Sequence, residues 1–436
     1  MAVSARENGA ADDRNKDGDG RLRGCGILDE DAESTGVSGS LGYSFRAVIN
    51  PEDLAKHYDR FRVTERILLT GHSHQAWPDV AFEAQQQACL DAAEFVDDVW
   101  DKAFEKANDV RRGFARLLDD SPDRIALAPN THELVVRFLS GLNLGERPKL
   151  ITTDGEFHTI RRQLDRLAEE SIEVVKVAAM PAATLAERLA RVVDDRTAAV
   201  LVSAVLYTNA HIVPNLRATL EACERIGAKL LVDAYHALNV VPFSLKKEGL
   251  EQAYIVGGGY KYCQLGPGNA FLRFPADSSL RPVVTGWFSE FTDLTKVPSG
   301  RVEYGPGPAR FAGATYDFTS HYRGAAVFKF FETQKLTPEK LRELNQHQIG
   351  MLANGVIPHL HDIGGFLAIE MEHPAVVQET LRKQEVWTDY RGNTLRLGPA
   401  PYLSDDQINE AVEALRDEQR KTSSVMPRTP QPRPHP

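Results

Sequence analysis

The chain has 436 residues, 42% of them hydrophobic and 26% charged, an ordinary globular composition with length enough for a sizeable core and two or more domains. The formal net charge of −10 argues against nucleic-acid binding as the main task, because phosphate recognition needs a basic face. No apolar run approaches the roughly 18 residues of a membrane span.

Residues 1–40 are rich in Gly, Asp, Arg, Asn and Ser with scarcely a large apolar side chain. Such a segment buries too little to offset ordering and is read as a disordered tail, with a partner-binding arm as the alternative. No signal-peptide core follows the start methionine, so the cytoplasm is the expected compartment. Ile67 to Pro78 reads as a short strand turning into a loop. His72, Ser73 and His74 in that loop are candidates for substrate contact, although a lone loop histidine is usually a surface residue. Val99 to Leu118 has helical spacing and leads to a strand, Arg124 to Pro129. Asn130-Thr-His-Glu133 then opens a helix. Its free N–H groups and positive dipole end suit a phosphate, and an N-cap without a ligand would look the same.

Leu150 to Thr153 is a further strand, ending in Asp154-Gly-Glu-Phe-His-Thr159. Ala198 to Leu206 is a near-continuous apolar run, as expected of a parallel strand buried on both faces. Leu216 to Ile226 reads as a crossover helix to Lys229-Leu-Leu-Val232, which gives the βαβ rhythm of a parallel sheet. That run delivers Asp233 at a strand's carboxyl end, where ligands bind in open α/β sheets.

Val256 to Leu272 reads VGGGYKYCQLGPGNAFL. Lys261 stands between two tyrosines, after three glycines and before a Gly-Pro-Gly turn. A lysine is costly to bury as a cation. A desolvated lysine amine can hold the aldehyde of pyridoxal phosphate covalently, and the small neighbours leave room for a flat ring and its phosphate. A snorkelling surface lysine is the alternative. Asp233 turns the balance, because a carboxylate there would keep a pyridinium nitrogen protonated. An opposite charge at about 4 Å is worth up to about 4 kcal/mol at an effective dielectric near 20. A lone Asp is readily a loop cap, but Asp-x-x-His followed by the lysine is much harder to explain that way.

Beyond the lysine lie Gly286-Trp-Phe-Ser-Glu290 and Phe311-Ala-Gly-Ala-Thr315. Ala325 to Leu336 and Pro338 to Ala353 look helical. Val386 to Arg391 precedes Thr394-Leu-Arg-Leu-Gly-Pro399, where the planar fork of Arg396 suits a carboxylate; Arg391 is read as a surface residue. Residues 422–436 are rich in Pro, Arg and Ser and are read as disordered. The four cysteines, Cys25, Cys89, Cys223 and Cys263, show no CxxC spacing, so neither a metal site nor a disulfide framework is expected.

The Asp233–His236 and Tyr260–Lys261 blocks, Gly286-Trp-Phe288 and Leu395-Arg-Leu-Gly-Pro399 resemble kynureninase, a class V member of the fold type I pyridoxal-phosphate enzymes. The resemblance runs from roughly Ile67 to Asp405. It implies an α/β fold with a large, mostly parallel-sheet domain over 81–320 and a small α+β domain over 321–421. The segment 41–80 would contribute to the small domain and the active site. It also implies a homodimer with active sites shared across the interface, a small amino-acid substrate, and neither membrane nor nucleic-acid partner.

Residue by residue, the resemblance places pyridoxal 5'-phosphate on Lys261, with Asp233 at the ring nitrogen and His236 beside it. Thr131 and His132 fall at the phosphate, and His158 stacks on the ring, with Phe157 in reserve. Ser203 approaches the cofactor. Trp287 reaches the phosphate in the neighbouring subunit, and Thr315 offers a hydroxyl. Tyr260 contacts the cofactor and is placed to donate a proton to the cleaved carbon. Arg396 takes the substrate's α-carboxylate, near His72 and Ser73. The implied reaction is hydrolysis of the Cβ–Cγ bond of a kynurenine-type amino acid, a step of tryptophan catabolism, to alanine and an aryl acid. Four departures keep other readings open. His72 stands where the family has Asn, Ile160-Arg161-Arg162 where it has Asp, Ser289-Glu290 for Gly-His, and Thr315 for Asn. An aminotransferase, or a lyase tailoring another amino acid in a biosynthetic pathway, is one alternative, and a non-catalytic binding protein is the other. A persulfide-forming desulfurase is disfavoured, since no cysteine sits in an obvious reactive loop except Cys263, two residues from Lys261.

Overall fold

The computed structural model describes residues 49–293, 300–353 and 360–425. The tail expected over 1–40 lies outside them. The last helix, Asp405–Val425, runs into the stretch read as a C-terminal tail; 426–436 lie outside the described residues.

Twelve strands are described. In chain order they are β1 (Ile67–Leu68), β2 (Ile125–Ala128), β3 (Lys149–Thr153), β4 (Glu173–Val177), β5 (Thr197–Ser203) and β6 (Lys229–Asp233). Then follow β7 (Tyr254–Gly258), β8 (Ala270–Arg273), β9 (Leu367–Glu370), β10 (Val386–Trp387), β11 (Asp389–Arg391) and β12 (Thr394–Leu397). Seven of them form one sheet in the order β2-β8-β7-β6-β5-β3-β4. Only β8 runs antiparallel to its neighbours; the other pairs are parallel. This is the α/β, mostly parallel sheet that the βαβ rhythm predicts.

The sheet's centre is apolar on both faces. Every residue of β5 is buried, as are Leu230, Leu231 and Val232 of β6. Fully burying a Val or Leu side chain is worth about 1.5–3 kcal/mol, so the large apolar residues of one such strand are comparable with the usual net stability of a domain before entropy is counted. The crossover helix Leu216–Ile226 ends on Gly227 in a left-handed conformation, and the chain turns directly into β6. Helix Val99–Leu118 lays Ala103, Ala107, Val110, Phe114 and Leu118 along one buried stripe, the helical period expressed in residues. Helix Thr319–Thr333 packs against it closely, and a Cβ at Gly113 would lie 2.2 Å from the Phe328 ring. That second helix starts and ends earlier than the sequence pattern predicts. It stops where Lys335 turns to a positive φ of 55°.

The C-terminal part forms a three-stranded antiparallel sheet, β11-β12-β9. The early strand β1 pairs with β10 in parallel, and Gly71 N–H donates to Gly398 O at 2.9 Å. The loop at 70–78 is thereby fastened to residues more than three hundred positions later. Strands β5, β6 and β7 end at Ser203, Asp233 and Gly258. Their carboxyl ends and this fastened loop face one cleft.

Candidate active site

The cleft has a volume of ≈ 570 Å³. Lys261 is at its floor, delivered by the turn after β7. That turn needs glycine: Gly266 and Gly268 have φ of +66° and +101°, and a Cβ on Gly266 would lie 2.8 Å from the Trp77 ring. Although Lys261 is partly open to the cleft, desolvation brings its amine down to about 7, against the opposing pull of Asp233. The amine lies 2.5 Å from His236 Nε2, 4.8 Å from the Tyr235 ring centre and 5.3 Å from that of Phe157. Burial, with Lys261, holds the His236 pKa well below the usual range, so its ring is neutral beside the amine. Its Nδ1 is buried with no partner.

Asp233 closes β6 with 8% exposure and accepts the Tyr235 N–H at 2.8 Å. Burial raises its pKa, and the backbone N–H and Lys261 pull it back. Beneath it is a carboxyl that the sequence reading missed. Glu156, 1% exposed, accepts the Thr153 hydroxyl at 2.7 Å, the Ser203 N–H at 3.2 Å and the Ser203 hydroxyl at 2.6 Å. Burial pushes its pKa up to about 7 despite the Ser203 and Thr153 hydrogen bonds. Ser203 does line the cleft, with its hydroxyl engaged by Glu156.

At the cleft's far wall, Asn130 caps the helix Thr131–Ser140 by accepting the Glu133 N–H. Both Thr131 and His132 line the cleft there, and the Thr131 hydroxyl is buried without a hydrogen-bond partner. Phe157, not His158, lines the cleft. His158 begins the next helix and lies against Tyr207. Of the two ring residues expected at the cofactor, the one held in reserve is the one that lines the cleft.

Two further expectations fall outside the cleft. Trp287 is 47% exposed and stacked on Phe288 at 4.3 Å, and Thr315 is exposed; neither lines it. Arg161, the departure at the aspartate position, pairs with Asp165 at 3.1 Å along its own helix.

The opposite side of the cleft is built around Asp389. Across the β11–β12 hairpin Asp389 faces Arg396 in register. Its carboxylate accepts from Arg396 Nε at 2.9 Å and Nη2 at 2.6 Å, and lies 2.6 Å from His72 Nε2. Burial would raise the Asp389 pKa, but His72 and Arg396 outweigh it and hold the carboxyl well below the usual range. Burial likewise lowers His72 to about 4 against the pull of Asp389. Arg396 Nη1 donates to Tyr207 O at 2.7 Å. A guanidinium has five N–H donors, so these three bonds leave one on each terminal nitrogen for a ligand. His72 and Ser73 line the cleft, but His72 Nε2 and the Ser73 hydroxyl are engaged by Asp389 and Thr70 O. Arg391 also lines it, with 48% of its side chain exposed and an Nη2 3.6 Å from Asp389. It is exposed, as its reading as a surface residue expects, and stands at the rim of the cleft.

Tyr260 reaches the cleft beside the lysine, and its hydroxyl lies 2.6 Å from His74 Nδ1. Burial raises its pKa. Cys263 is buried, and burial pushes its thiol far up. Among the described residues no cluster of His, Cys, Asp or Glu is arranged to hold a metal ion, and no helix is long and apolar enough to cross a membrane.

No protein-family model matches the chain. It is 23% identical over 330 residues to the uncharacterized aminotransferase YcbU of Bacillus subtilis, covering 72% of this chain and 85% of that one. It is 24% identical to the kynureninase of Bacillus cereus (66% and 71% covered), and 23% identical to the isopenicillin N epimerase of Streptomyces clavuligerus (70% and 82% covered). Among solved structures it is similar to the cystine C–S lyase C-DES in complex with cysteine persulfide, with a TM-score of 0.72 and 20% identity over 82% of this chain and 98% of that one. It is also similar to a cysteine desulfurase from Thermococcus onnurineus, with a TM-score of 0.71 and 16% identity (85% and 98% covered). The fold is that of the class V, fold type I pyridoxal-phosphate-dependent enzymes.

Proposed function

We propose that this chain is a pyridoxal-phosphate-dependent enzyme acting on a small amino acid, and that it hydrolyses the Cβ–Cγ bond of a kynurenine-type substrate. The observation that carries the cofactor is the pairing of a desolvated amine, Lys261, with a buried carboxylate, Asp233, on one cleft. The rest of the cleft fits the group. Phe157 offers a flat face, and the Thr131 hydroxyl, buried without a partner at the start of a ten-residue helix, suits a phosphate oxygen.

Bound there, the cofactor supplies an electron sink for charge that develops on the substrate's carbon chain. Asp233 stabilises positive charge at the ring nitrogen. Lys261, with a pKa near neutrality, is matched to taking the α-proton and returning it. Arg396 binds the α-carboxylate through the two N–H groups its protein partners leave, and Asp389 and His72 hold the guanidinium still. Tyr260 donates a proton to the carbon released by cleavage. A homodimer in the cytoplasm is part of the proposal. In the proposal Trp287, which does not line its own cleft, reaches the phosphate in the neighbouring subunit, as the resemblance implies.

An aminotransferase or a lyase for another amino acid is the second reading. It is favoured by Thr315, which stands where kynureninases carry an Asn near the substrate ring and so cannot offer that ring an amide. The deciding experiment incubates cofactor-loaded protein with kynurenine and 3-hydroxykynurenine and assays alanine and the aryl acid. Both products should appear. A visible-spectrum shift without alanine would overturn the hydrolase reading and leave the cofactor. Lys261→Ala should abolish both turnover and the visible absorbance of the lysine-linked cofactor; absorbance unchanged in that variant would overturn the cofactor assignment.

A further inference from the structure

His74, so far only a candidate for substrate contact, stands exposed at the rim of the cleft with its backbone firmly placed. Its N–H donates to Thr70 O at 2.8 Å, and the Thr70 hydroxyl donates back to His74 O at 3.0 Å. Thr70 in turn bridges to Gly398, so the histidine's backbone is pinned at both polar atoms to a fastened loop. Its ring meets that of Tyr260 edge-on, with centroids 5.1 Å apart at 87°, and Nδ1 lies 2.6 Å from the phenol oxygen.

Several groups surround this pair. Tyr260 faces His74 from the turn after β7. Trp77 lies 6.3 Å away on the histidine's own loop and carries the Arg323 guanidinium of helix Thr319–Thr333 at 5.0 Å. The cleft charges are Lys261, Asp233, Asp389, Arg391 and Arg396. Among the described residues no carboxylate forms an ion pair with His74. Partial desolvation lowers the His74 pKa and raises that of Tyr260, so at neutral pH an uncharged phenol meets an uncharged imidazole. The phenol is the stronger acid of the two and is the donor.

We propose that His74 is a positioning residue for Tyr260, setting the direction of the phenol hydrogen. With His74 neutral, the hydrogen is directed to Nδ1 and the phenol oxygen turns only lone pairs to the cleft. With His74 protonated, Nδ1–H donates to that oxygen and the phenol hydrogen is released to face the cleft. A proton passed from Tyr260 to a reacting carbon is then replaced by the Nδ1 proton of His74. The phenol is restored, the imidazole is left neutral, and solvent at the exposed rim recharges it. The consequence for turnover rests on the proposed role of Tyr260 as proton donor; the hydrogen bond itself does not.

The test has two arms on purified full-length protein. In the first, ring ¹³C-labelled histidines are titrated by NMR without added cofactor, and His74→Gln identifies the His74 signal. Tyr260→Phe should move the His74 midpoint down by about half a unit to one unit, because a hydrogen bond stabilises the charged ring more than the neutral one. An unmoved midpoint overturns the proposal whatever the enzyme's reaction proves to be. In the second arm, the pH profile of kcat is compared for the wild type and His74→Gln, whose amide can accept the phenol hydrogen but does not titrate. The limb belonging to His74 should vanish in the variant. A profile identical to that of the wild type, at equal thermal stability, overturns the proposed control of Tyr260 even if the first arm succeeds.

Discussion

Replacing Asp389 by Asn tests the electrostatic design of the substrate side of the cleft. The two side chains have nearly the same volume, so the change is one of charge and donor count. Asp389 Oδ1 lies against His72 and Arg396 Nε, and Oδ2 against Arg396 Nη2. Whichever way an amide is turned, its NH₂ meets an N–H. Arg396, whose side chain is 3% exposed, also loses its counter-charge. Removing one partner of a buried pair costs about 3–5 kcal/mol; retaining one accepting oxygen places the expected loss near the lower end, about 3 kcal/mol at pH 7. The sign with pH follows from the depressed carboxyl pKa. That contribution is fully present above the unfolded value of about 3.9 and is lost as pH falls toward the folded one. The gap between the two proteins should therefore shrink by about 1 kcal/mol per unit below about pH 4. His72, buried and neutral, costs the wild type stability between its ordinary pKa and about 4, a value that Asp389 itself helps to set, so both proteins are compared in a His72→Gln background. Urea unfolding at pH 7 and pH 3 measures the gap. A gap under about 1 kcal/mol at pH 7, or one that does not narrow in acid, would refute the reasoning.

Glu156→Gln should behave in the opposite sense. A carboxyl raised to about 7 binds its proton more tightly in the folded than in the unfolded chain, so its penalty grows as pH rises from about 4.3 to about 7. The amide mimics the protonated acid, and the variant should gain stability over wild type at pH 8, by on the order of 3 kcal/mol at most. Thermal melts at pH 5 and pH 8 check this, and equal differences at the two values would contradict it. Arg391→Ala should leave stability within about 0.5 kcal/mol and raise KM for an amino-acid substrate about fivefold, the effect of one cation near an anion in a wet cleft. An unchanged KM would leave Arg391 no role beyond that of a surface residue.

Much of this site is legible from local signals. A buried apolar strand must deliver its next residue to the sheet's carboxyl edge, and Asp233 follows from that. Glycines around a lysine mark the turn that presents Lys261. What escaped was set by pairings between segments. Glu156 is an ordinary acidic residue in a turn until β5 brings Ser203 against it. Phe157 and His158 are adjacent, and only the first residue of the following helix decides which enters the cleft. Asp389 was nonetheless readable. Arg391-Gly-Asn-Thr394 has the form of a two-residue hairpin turn, with Gly392 at a positive φ. Counting outward places 389 opposite 396. The pattern of charges across that turn carried the information, and reading Arg396 alone missed it.

The pairing of β1 with β10 has a consequence for the order in which the protein comes into being. Chains grow at roughly 5–20 residues per second, and Arg396 follows Lys261 by 135 positions (396 − 261). The lysine and Asp233 are therefore made on the order of ten seconds before the arginine. The histidine loop, made far earlier, waits for Val386 and Gly398 before it is fastened. A chain grown only as far as Lys261 carries that lysine and Asp233 but neither Arg396 nor the partners that fasten the histidine loop.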